Sequence, residues 1–412
     1  MRTTTLDILR CPYCGGRLEL IEAMHHRRSA DEIHDGILGC QCCLFPVIDG
    51  IPVMHVLPAA TIARDQMQAG RADLARRTMF GLEDEAQAMA FDAIAASETA
   101  TFRETVEALG PNFEGGYFLY RFTDPTYIVA QAVVRSVAKT VLSGSRRAID
   151  ICGGSGHVTR SLLDLSAAPP VLADLYFAKV WLARRFTAPG CEPICCDGNA
   201  PMPFSRGAFG FAMCTDAFMY IWTKRQFVGE MERLVDASGA LLIGHTHNER
   251  TWSPSHGQPL SPEGYAALFE TIEPRVFGES GLFADVVAGG PLDLTRRDSK
   301  ETLDGNPALT IIASRNPAVF ARHPLSSSTT ASGEYRLNPL YAAVTDGERV
   351  TLRLRFPDED YAEEYGACRE YLPEELTLDR AAITSLAAGR ISGELADLVR
   401  RRVIVDLPKR YY

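Results

Sequence analysis

Short apolar runs alternate with amphipathic patterns through the middle of the chain, between residues 143 and 318. The runs have the length of buried strands and lie at residues 147–151, 170–175, 191–196, 209–215 and 240–245, with a late one near 309–313. Amphipathic segments that predict helices separate them, at residues 158–165, 178–186 and 224–235. This alternation predicts an α/β fold with a Rossmann-like, doubly wound and mostly parallel sheet.

The flanking patterns predict three further units. The N-terminal unit has short apolar stretches between turn residues, and Pro46, Pro52 and Pro58 exclude helix and favour short edge strands. A segment rich in Ala, Arg, Glu and Gln predicts a helical lid or linker. The resulting domains are an N-terminal ribbon at residues 1–58 and the helical lid or linker at residues 59–142. The α/β core follows at residues 143–318, and a C-terminal accessory domain at residues 319–412.

The C-terminal domain is predicted to be a small α+β unit. It opens with a Ser/Thr-rich stretch at 326–332 that is typical of a linker. Period-two alternation predicts strands at 350–356 and 403–407, and residues 376–402 are predicted to be helical. Its tyrosines and basic run are candidates for contacts with a substrate or with a second copy in a homodimer, and a solvated helix face is the alternative: Tyr361, Tyr365, Tyr371 and residues 400–402.

The 412 residues contain 42 Lys and Arg against 52 Asp and Glu, which gives a formal net charge of −10. Nucleic-acid-binding proteins generally present a basic face, so this balance argues against a general nucleic-acid binder. No uncharged apolar run of about 18 residues is present, so the sequence predicts no membrane-spanning helix. The N-terminus has no apolar signal core, and we expect a cytoplasmic protein.

Eleven cysteines are present, and four of them form the pairs Cys11-x-x-Cys14 and Cys40-x-x-Cys43. Two such pairs predict a structural Zn²⁺ site with four thiolate ligands, and a polar stretch at 27–35 predicts a hairpin tip between them. Four protein ligands leave no open position, so the zinc has no catalytic role. Cys42 is an alternative fourth ligand in place of Cys43, although its spacing from Cys40 is less regular. Unmetallated thiols are a further possibility, as is a ligand from one of three nearby histidines: His25, His26 and His34.

The N-terminal segment resembles the Trm112-like zinc-ribbon family. The resemblance rests on the text LDILRCPYC at residues 6–14 and on GILGC through FPVIDGIP at residues 36–52. Free-standing members of that family act as partners that stabilise methyltransferases. The resemblance therefore implies that such a module is fused here to its own methyltransferase.

A glycine-rich turn follows the first core strand, in the text AIDICGGSGHVT at residues 148–159. Glycines let a backbone approach a ligand closely, and N–H groups at a helix start bind polar groups. A dinucleotide fold would place a third glycine where Thr159 stands, so the pattern argues against a bound dinucleotide. Asp174 ends the second strand, where an ionised carboxylate can accept bonds from both hydroxyls of a ribose.

The ordered motifs resemble class I S-adenosylmethionine-dependent methyltransferases over about residues 145–315. The resemblance implies that Asp197 binds the adenine amino group and that Gly198 lies against the adenine ring. The expected cofactor-binding residues of the core are Asp150, Cys152, Gly153, Gly154, Gly156, Asp174, Leu175, Asp197, Gly198 and Thr215. Two departures are Cys152, where the family usually has its first glycine, and Gly210, where an acidic residue is common.

Candidate acceptor-site residues lie at the carboxyl ends of later strands. We expect His245 to be the general base, with His247 as a second candidate and Tyr220 orienting the substrate. The alternatives for the histidines are bonds to loop backbone or a metal site with His256.

The helical lid supplies two further candidates. From it we expect Arg121 to pair with the methionyl carboxylate and Tyr120 to cover the sulfonium, the alternative being an apolar contact between helices.

The sequence therefore predicts a methyltransferase acting on a small molecule or a modified peptide, in specialised metabolism. The first alternative is a methyltransferase fold kept as a binding or scaffolding module, which the Cys152 departure favours. The second is RNA or protein methylation, which Trm112-like partners commonly serve. The text DAF at residues 216–218 lacks the Asn/Asp-Pro-Pro-aromatic signature used on planar amines, which argues against RNA.

Overall fold

The computed structural model describes residues 1–110, 115–252, 257–325, 333–387 and 394–412. The N-terminal segment is an antiparallel sheet of β1 (Glu19–Leu20), β2 (Arg27–Arg28), β3 (Ile33–Gly39), β4 (Leu44–Ile48) and β5 (Ile51–Pro52). The strands pair in the order β1-β3-β4-β5, with β2 on β3. The β2–β3 hairpin confirms the predicted hairpin between the cysteine pairs.

The next segment is helical, as predicted. Its helices are α1 (Pro58–Gln68), α2 (Ala72–Phe80), α3 (Glu85–Ala96), α4 (Phe102–Leu109), α5 (Gly115–Phe118) and α6 (Pro125–Val141). Pro58, expected to exclude helix, is instead the first residue of α1, a position where its missing N–H costs nothing. Every helix among the described residues is too short or too polar to span a bilayer.

The core strands are β6 (Arg147–Ile151), β7 (Val171–Asp174), β8 (Glu192–Cys195), β9 (Phe209–Thr215), β10 (Val235–His247), β11 (Pro274–Gly278) and β13 (Ala308–Ser314). A short strand, β12 (Leu292–Asp293), precedes β13 and pairs outside this sheet. The helices of the core are α7 (Phe177–Leu182), α8 (Lys224–Leu234), α9 (Pro262–Ala266), α10 (Glu279–Ala288) and α11 (Lys300–Asp304).

The central sheet has the order β8-β7-β6-β9-β10-β13-β11. Pairing is parallel from β8 to β10, whereas β13 runs antiparallel to both β10 and β11. The prediction of a mostly parallel sheet is confirmed. Strand β6 has β7 on one side and β9 on the other, so the chain first winds outward through β7 and β8 and then crosses to the opposite side of β6 to form β9. Ligands of such sheets bind at this switch point, beyond the carboxyl ends of β6 and β9.

Alternate residues of the sheet face two separate apolar cores. Along β10, Leu242 packs into the core that contains α6, and Ile243 packs into the core that contains α8. This period of two is what a strand covered on both faces requires. Helix α6, predicted as part of the lid or linker, therefore covers one face of the central sheet and contacts β9 and β10.

The C-terminal segment contains β14 (Arg322–His323), β15 (Gly333–Leu337), β16 (Tyr341–Asp346), β17 (Arg349–Leu354), α12 (Glu359–Tyr365), β18 (Glu375–Asp379), α13 (Arg380–Ala387), α14 (Glu394–Arg400) and β19 (Ile404–Pro408). It is an α+β unit, as predicted, with β16-β17-β18 as one sheet and β15-β19 as another. The predicted helix start near 376 is wrong, because β18 pairs there with β17. The predicted linker at 326–332 lies outside the described residues.

Residues 158–165, predicted to be a helix, contain a 3-10 turn at Thr159–Leu162 instead. Side chains of this segment bind the end of the chain. Arg160 donates to the backbone carbonyl and to the carboxylate of Asp406, at 2.8 and 3.0 Å. Nε2 of His157 lies 2.7 Å from the hydroxyl of Tyr411. A local pattern cannot reveal such partners.

The N-terminal ribbon closes the β8 edge of the central sheet. Val53, just after β5, forms a parallel bridge with Cys195, and the N–H of Met54 donates to the carbonyl of Cys195 at 2.7 Å. The carboxylate of Glu192 accepts bonds from the hydroxyl of Thr5 at 3.0 Å and from the N–H of Arg2 at 3.1 Å. An edge strand that would otherwise expose its backbone groups is thereby paired.

Candidate active site

The turn after β6 brings the backbone close to the switch point. The N–H of Cys152 donates to the carbonyl of Ala173 at 2.7 Å, which ties the turn to β7. Gly154 and Gly156 have φ angles of 54° and 78°, in the left-handed region that glycine tolerates. At Gly153 a Cβ atom would lie 2.3 Å from a methyl carbon of Leu172, so no larger residue fits there. The predicted glycine turn therefore has a structural reason at each glycine.

Asp150 lies beneath this turn and is fully buried. Its Oδ2 accepts a bond from the hydroxyl of Thr159 at 2.6 Å, whereas its Oδ1 has no hydrogen-bond partner within the described residues. Burial raises the pKa of Asp150 to about 7, and the nearby charge of Asp174 adds to the rise. A buried carboxylate with an unused oxygen is suited to a polar ligand at the turn.

Asp174 joins the tip of β7 to the glycine turn. Its Oδ2 accepts a bond from the N–H of Gly154 and its Oδ1 one from the N–H of Tyr176, both at 2.9 Å. Beside it, the N–H of Cys196 donates to the carbonyl of Asp174 at 2.9 Å. The second strand tip, with Leu175 after it, therefore lies directly against the turn, as the sequence predicts for a cofactor cleft.

The loop after β8 completes this side of the cleft. Oδ1 of Asp197 accepts a bond from the N–H of Asn199 at 2.8 Å, which fixes the loop as an Asx turn. Gly198 is buried, and a Cβ atom on it would lie 3.1 Å from Sγ of Cys152. The structure thus brings Cys152, Asp197 and Gly198 together, while their role as adenine ligands stays a prediction.

Three residues other than glycine have left-handed backbones at the carboxyl ends of neighbouring strands. Cys152 follows β6 with φ 60°, Asp216 follows β9 with φ 56°, and His245 lies near the end of β10 with φ 49°. Such conformations cost energy in residues with a Cβ atom and occur often at functional sites. Their convergence at one end of the sheet marks this end as the candidate active site.

The lid residue Arg121 is buried and holds two carboxylates. Its Nη2 donates to Oδ2 of Asp216 at 2.8 Å, and its Nη1 donates to Oδ2 of Asp124 at 3.1 Å. Its guanidinium carbon also lies 5.7 Å from the ring centre of Tyr117. In the structure the side chain of Arg121 makes these two bonds. Its expected pairing with a methionyl carboxylate stays a prediction. Tyr120 packs edge-on against Tyr361 at 5.4 Å between ring centres.

His245 forms a dyad with Glu279, the first residue of α10. Nδ1 of His245 lies 2.7 Å from Oε2 of Glu279, and the backbone N–H of His245 donates to Oε1 at 2.8 Å. The hydroxyl of Thr310 donates to the same Oε1 at 2.7 Å. Burial alone would lower the pKa of His245, but the charge and hydrogen bond of Glu279 outweigh it and raise the pKa to about 9.

The other predicted acceptor-site residues lie nearby. The ring centres of His247 and His245 are 5.7 Å apart, and burial together with the charge of His245 lowers the pKa of His247. Tyr220 is 52% exposed at the start of the next loop, whereas Thr215, expected from the sequence to bind the cofactor, is buried beside Gly244. His256, the third histidine of the proposed metal alternative, lies outside the described residues.

The ribbon gathers four thiols into a metal-binding geometry. The sulfur atoms of Cys11, Cys14, Cys40 and Cys42 all lie within 4.8 Å of one another. The distances are 3.7 Å for Cys11–Cys42 and Cys14–Cys40 and 3.5 Å for Cys40–Cys42. Four thiolates bound to a tetrahedral Zn²⁺ stand about 3.8 Å apart. These residues therefore fit a Zn²⁺ ion, and no histidine belongs to the cluster among the described residues.

The fourth thiol is Cys42, whereas the sequence pattern predicted Cys43. The N–H of Cys43 donates to Sγ of Cys40 at 3.3 Å, and Sγ of Cys43 lies 3.4 Å from Sγ of Cys42, so Cys43 adjoins the cluster and its role as a ligand stays a prediction. Because β4 begins at Leu44, the chain is already turning into the strand at Cys43, and the side chain of Cys42 enters the cluster. The sequence offers Cys42 as an alternative to Cys43, and only the regular Cys-x-x-Cys spacing favours Cys43.

Two site residues were missed by sequence reasoning. Glu279 is 34 positions from His245, and no local pattern around it signals a partner. Asp124 carries the signal of a helix cap before Pro125, and it does cap α6, but the same carboxylate also binds Arg121.

No protein-family model and no curated protein matches the chain. Solved structures with a similar fold include YcgJ from Bacillus subtilis, 17% identical, which covers 45% of this chain and 98% of its own, with a TM-score of 0.33. Geranyl diphosphate C-methyltransferase from Streptomyces coelicolor is 13% identical over 54% of this chain and 84% of its own, with a TM-score of 0.36. The complex of the Haloferax volcanii Trm112 methyltransferase activator with a proposed methyltransferase gives 15% identity, 45% and 89% coverage, and a TM-score of 0.34. Similarity at this level is too low to assign an activity.

Proposed function

We propose that this chain is a class I S-adenosylmethionine-dependent methyltransferase that acts on a small molecule or a modified peptide. The observation that carries the proposal is the 2.9 Å bond from the N–H of Gly154 to Oδ2 of Asp174. It joins the acidic tip of β7 to the glycine turn of β6 at the switch point, where a nucleoside ligand of such a sheet binds. The sheet order, with antiparallel β13 between β10 and β11, supports the same class and is typical of its fold.

The residues of the cleft fit the cofactor. Within the described residues Oδ1 of Asp150 has no hydrogen-bond partner, and a Cβ atom on Gly198 would lie 3.1 Å from Sγ of Cys152, so a polar atom and a position restricted to glycine both adjoin the turn. Asp174 and Asp197 would hold the ribose and the adenine amino group. When bound, the cofactor supplies a methyl group on a positively charged sulfur.

The histidine pair is suited to handling a proton of the acceptor. A nucleophile that carries a proton at neutral pH needs a base near its reacting atom. Glu279 occupies Nδ1 of His245, so Nε2 is the nitrogen left for a substrate. Burial and the charge of His245 lower the pKa of His247 and so favour its neutral form, which makes it the second candidate base. Tyr220, half exposed at the same end of the sheet, is proposed to orient the substrate.

The ribbon is proposed to hold a structural Zn²⁺ ion. Four thiolates fill a tetrahedral shell, so the ion has no open position for a substrate. The ordered ribbon in turn pairs with β8, next to the strand that carries Asp174. Zinc therefore supports the cofactor cleft through the fold rather than through chemistry.

Calorimetric titration with S-adenosylhomocysteine and S-adenosylmethionine tests the cofactor assignment. We expect both compounds to bind wild-type protein. Asp174→Asn should lower the affinity for S-adenosylhomocysteine by at least about tenfold, which corresponds to about 1.4 kcal/mol of binding free energy. Asp65→Asn is the matched control, because Asp65 is an exposed carboxylate on α1. Failure of the wild-type protein to bind either compound at millimolar concentration would contradict the proposal, as would equal binding by Asp174→Asn.

A further inference from the structure

Helix α12 of the C-terminal domain turns two tyrosines toward the lid. Tyr361 and Tyr365 are 6% and 8% exposed, although the helix between them carries two exposed glutamates. The hydroxyl of Tyr361 lies 3.5 Å from Oγ1 of Thr123, and the two tyrosine ring centres are 4.8 Å apart. The hydroxyl of Tyr371, just beyond the helix, donates to the carbonyl of Thr123 at 2.7 Å. The C-terminal domain is therefore docked on the lid through tyrosines.

The same tyrosines lead directly to the carboxyl ends of the core strands. The ring of Tyr365 lies parallel to that of Tyr117, with an interplanar angle of 10° and 6.4 Å between ring centres. Arg121 lies beside Tyr117 and binds Asp216, which follows β9. The N–H of Asp216 donates to the carbonyl of Gly244 at 2.9 Å, one residue before His245. A continuous set of contacts thus joins α12 to the histidine pair.

The charges in this region nearly balance. The carboxylates of Asp124, Asp216 and Glu279 face the cations of Arg121 and His245. Arg121 is bound on both sides by carboxylates, which offset its charge, so it adds little attraction for an anionic acceptor. A substrate bearing a carboxylate or phosphate finds no free cation here among the side chains just named. The aromatic walls favour a flat, uncharged group instead.

We propose that Tyr361 and Tyr365 form, with Tyr117 and Tyr120, one wall of the acceptor pocket. The acceptor is an uncharged aromatic ring that carries an ionisable hydroxyl, with the ring against the tyrosines and the hydroxyl toward His245. This inference rests on the proposed function and names the substrate class for the same site. The rings of Tyr117 and Tyr365 form a parallel stacked pair with 6.4 Å between their centres, and the acceptor ring is proposed to extend this stack. The C-terminal domain is thereby assigned to substrate selection.

The test compares 2-naphthol with decahydro-2-naphthol, its saturated analogue, by calorimetry on protein loaded with S-adenosylhomocysteine. The expected result is that 2-naphthol binds wild-type protein at least about tenfold more tightly than the saturated alcohol. Tyr365→Leu should lower the affinity for 2-naphthol by about tenfold or more. Tyr365→Phe keeps the ring, so its affinity for 2-naphthol should stay within about twofold of that of wild-type protein. Equal binding of the two alcohols, no binding of 2-naphthol, or unchanged binding by Tyr365→Leu would overturn the inference.

The affinity for S-adenosylhomocysteine separates this inference from the proposed function. We expect Tyr365→Leu and Tyr365→Phe to bind S-adenosylhomocysteine as wild-type protein does, which also shows that they fold. Normal cofactor binding without selection for 2-naphthol would contradict only the acceptor assignment. Selective binding of 2-naphthol to protein that fails to bind the cofactor would support the pocket and contradict the methyltransferase proposal.

Discussion

His245 makes two hydrogen bonds to the carboxylate of Glu279, one from its ring and one from its backbone. Nδ1 lies 2.7 Å from Oε2, and the backbone N–H donates to Oε1 at 2.8 Å. The ring orientation is therefore fixed although the backbone of His245 is left-handed. Because Glu279 also stabilises the imidazolium, His245 is protonated at neutral pH and must lose that proton before it can act as a base.

We predict that methyl transfer to a phenolic acceptor speeds up as the pH rises toward about 9, the pKa of His245. Below that pH most of the protein carries the imidazolium, which cannot accept the proton of the hydroxyl. The pH–rate profile at saturating cofactor measures this effect, and His245→Gln should abolish the rise. A rate that is already level at pH 7 and is lost in His247→Gln would instead make His247 the base.

We predict that the dyad stabilises the fold near pH 6 and stops doing so at high pH. The pKa of His245 is raised from 6.5 to about 9, so its contribution is complete near pH 6, where Glu279 is also ionised, and is lost as the pH rises through about 9. Glu279→Gln should lower the free energy of unfolding by about 2 kcal/mol at pH 6 and by much less at pH 10.

Urea denaturation at the two pH values measures this difference. Glu263→Gln is a suitable control, because Glu263 is an exposed carboxylate at the start of α9. A destabilisation by Glu279→Gln that is the same at pH 6 and pH 10 would show that the charge of His245 is not its source.

The part of the site that the sequence could predict is local. Asp174 ends one short apolar strand and Asp150 is the last residue but one of another, and parallel strands of one sheet meet at their carboxyl ends. The glycine turn between β6 and the next segment is likewise encoded in adjacent residues. Strand, turn and acidic tip can therefore be recognised from the sequence without knowledge of tertiary contacts.

The part that the sequence could not predict depends on distant partners. Glu279 meets His245 only because β11 lies beside β13 and α10 begins where β11 ends. The segment 158–165, expected to be a helix, contains a 3-10 turn whose Arg160 binds Asp406, 246 positions away. Binary pattern and helix propensity contain no information about either contact.

We predict that Cys42 and not Cys43 is required for zinc. Cys42→Ser removes one of the four clustered thiols, so zinc content should fall from one ion per chain and thermal stability should fall with it. Cys43→Ser keeps the N–H bond to Sγ of Cys40 and should retain zinc. Inductively coupled plasma mass spectrometry of the two purified variants measures the metal directly. The reverse result would restore the regular Cys-x-x-Cys register.

We predict that Cys152→Gly stabilises the protein by about 1 kcal/mol, because glycine adopts the φ of 60° without the steric cost that a Cβ atom causes. Chemical denaturation measures the change, and affinity for S-adenosylhomocysteine should be kept. Cys191→Ala is the comparison, since Cys191 is a buried cysteine away from the turn. A loss of cofactor affinity in Cys152→Gly would show that the thiol itself contacts the ligand.

We predict that His157 makes the fold sensitive to acid. Burial lowers its pKa from 6.5 to about 3, so the imidazole is neutral in the folded protein while Nε2 is bonded to Tyr411. Above about pH 6.5 the imidazole is neutral in both the folded and the unfolded protein, so His157 does not change the free energy of unfolding. As the pH falls from 6.5 toward 3, only the unfolded chain takes up a proton, so stability declines by up to about 1.4 kcal/mol per pH unit.

His157→Phe keeps a ring in the apolar site and removes the titrating group, so its stability should decline less steeply than that of wild-type protein between pH 6 and pH 4. Unfolding free energies from urea titrations across that range measure the slope. His25→Asn is the control, because His25 is an exposed histidine of the ribbon. Equal slopes for His157→Phe and wild-type protein would mean that His157 takes up its proton in the folded state, and the site between the glycine turn and the C-terminal tail would then be open to water.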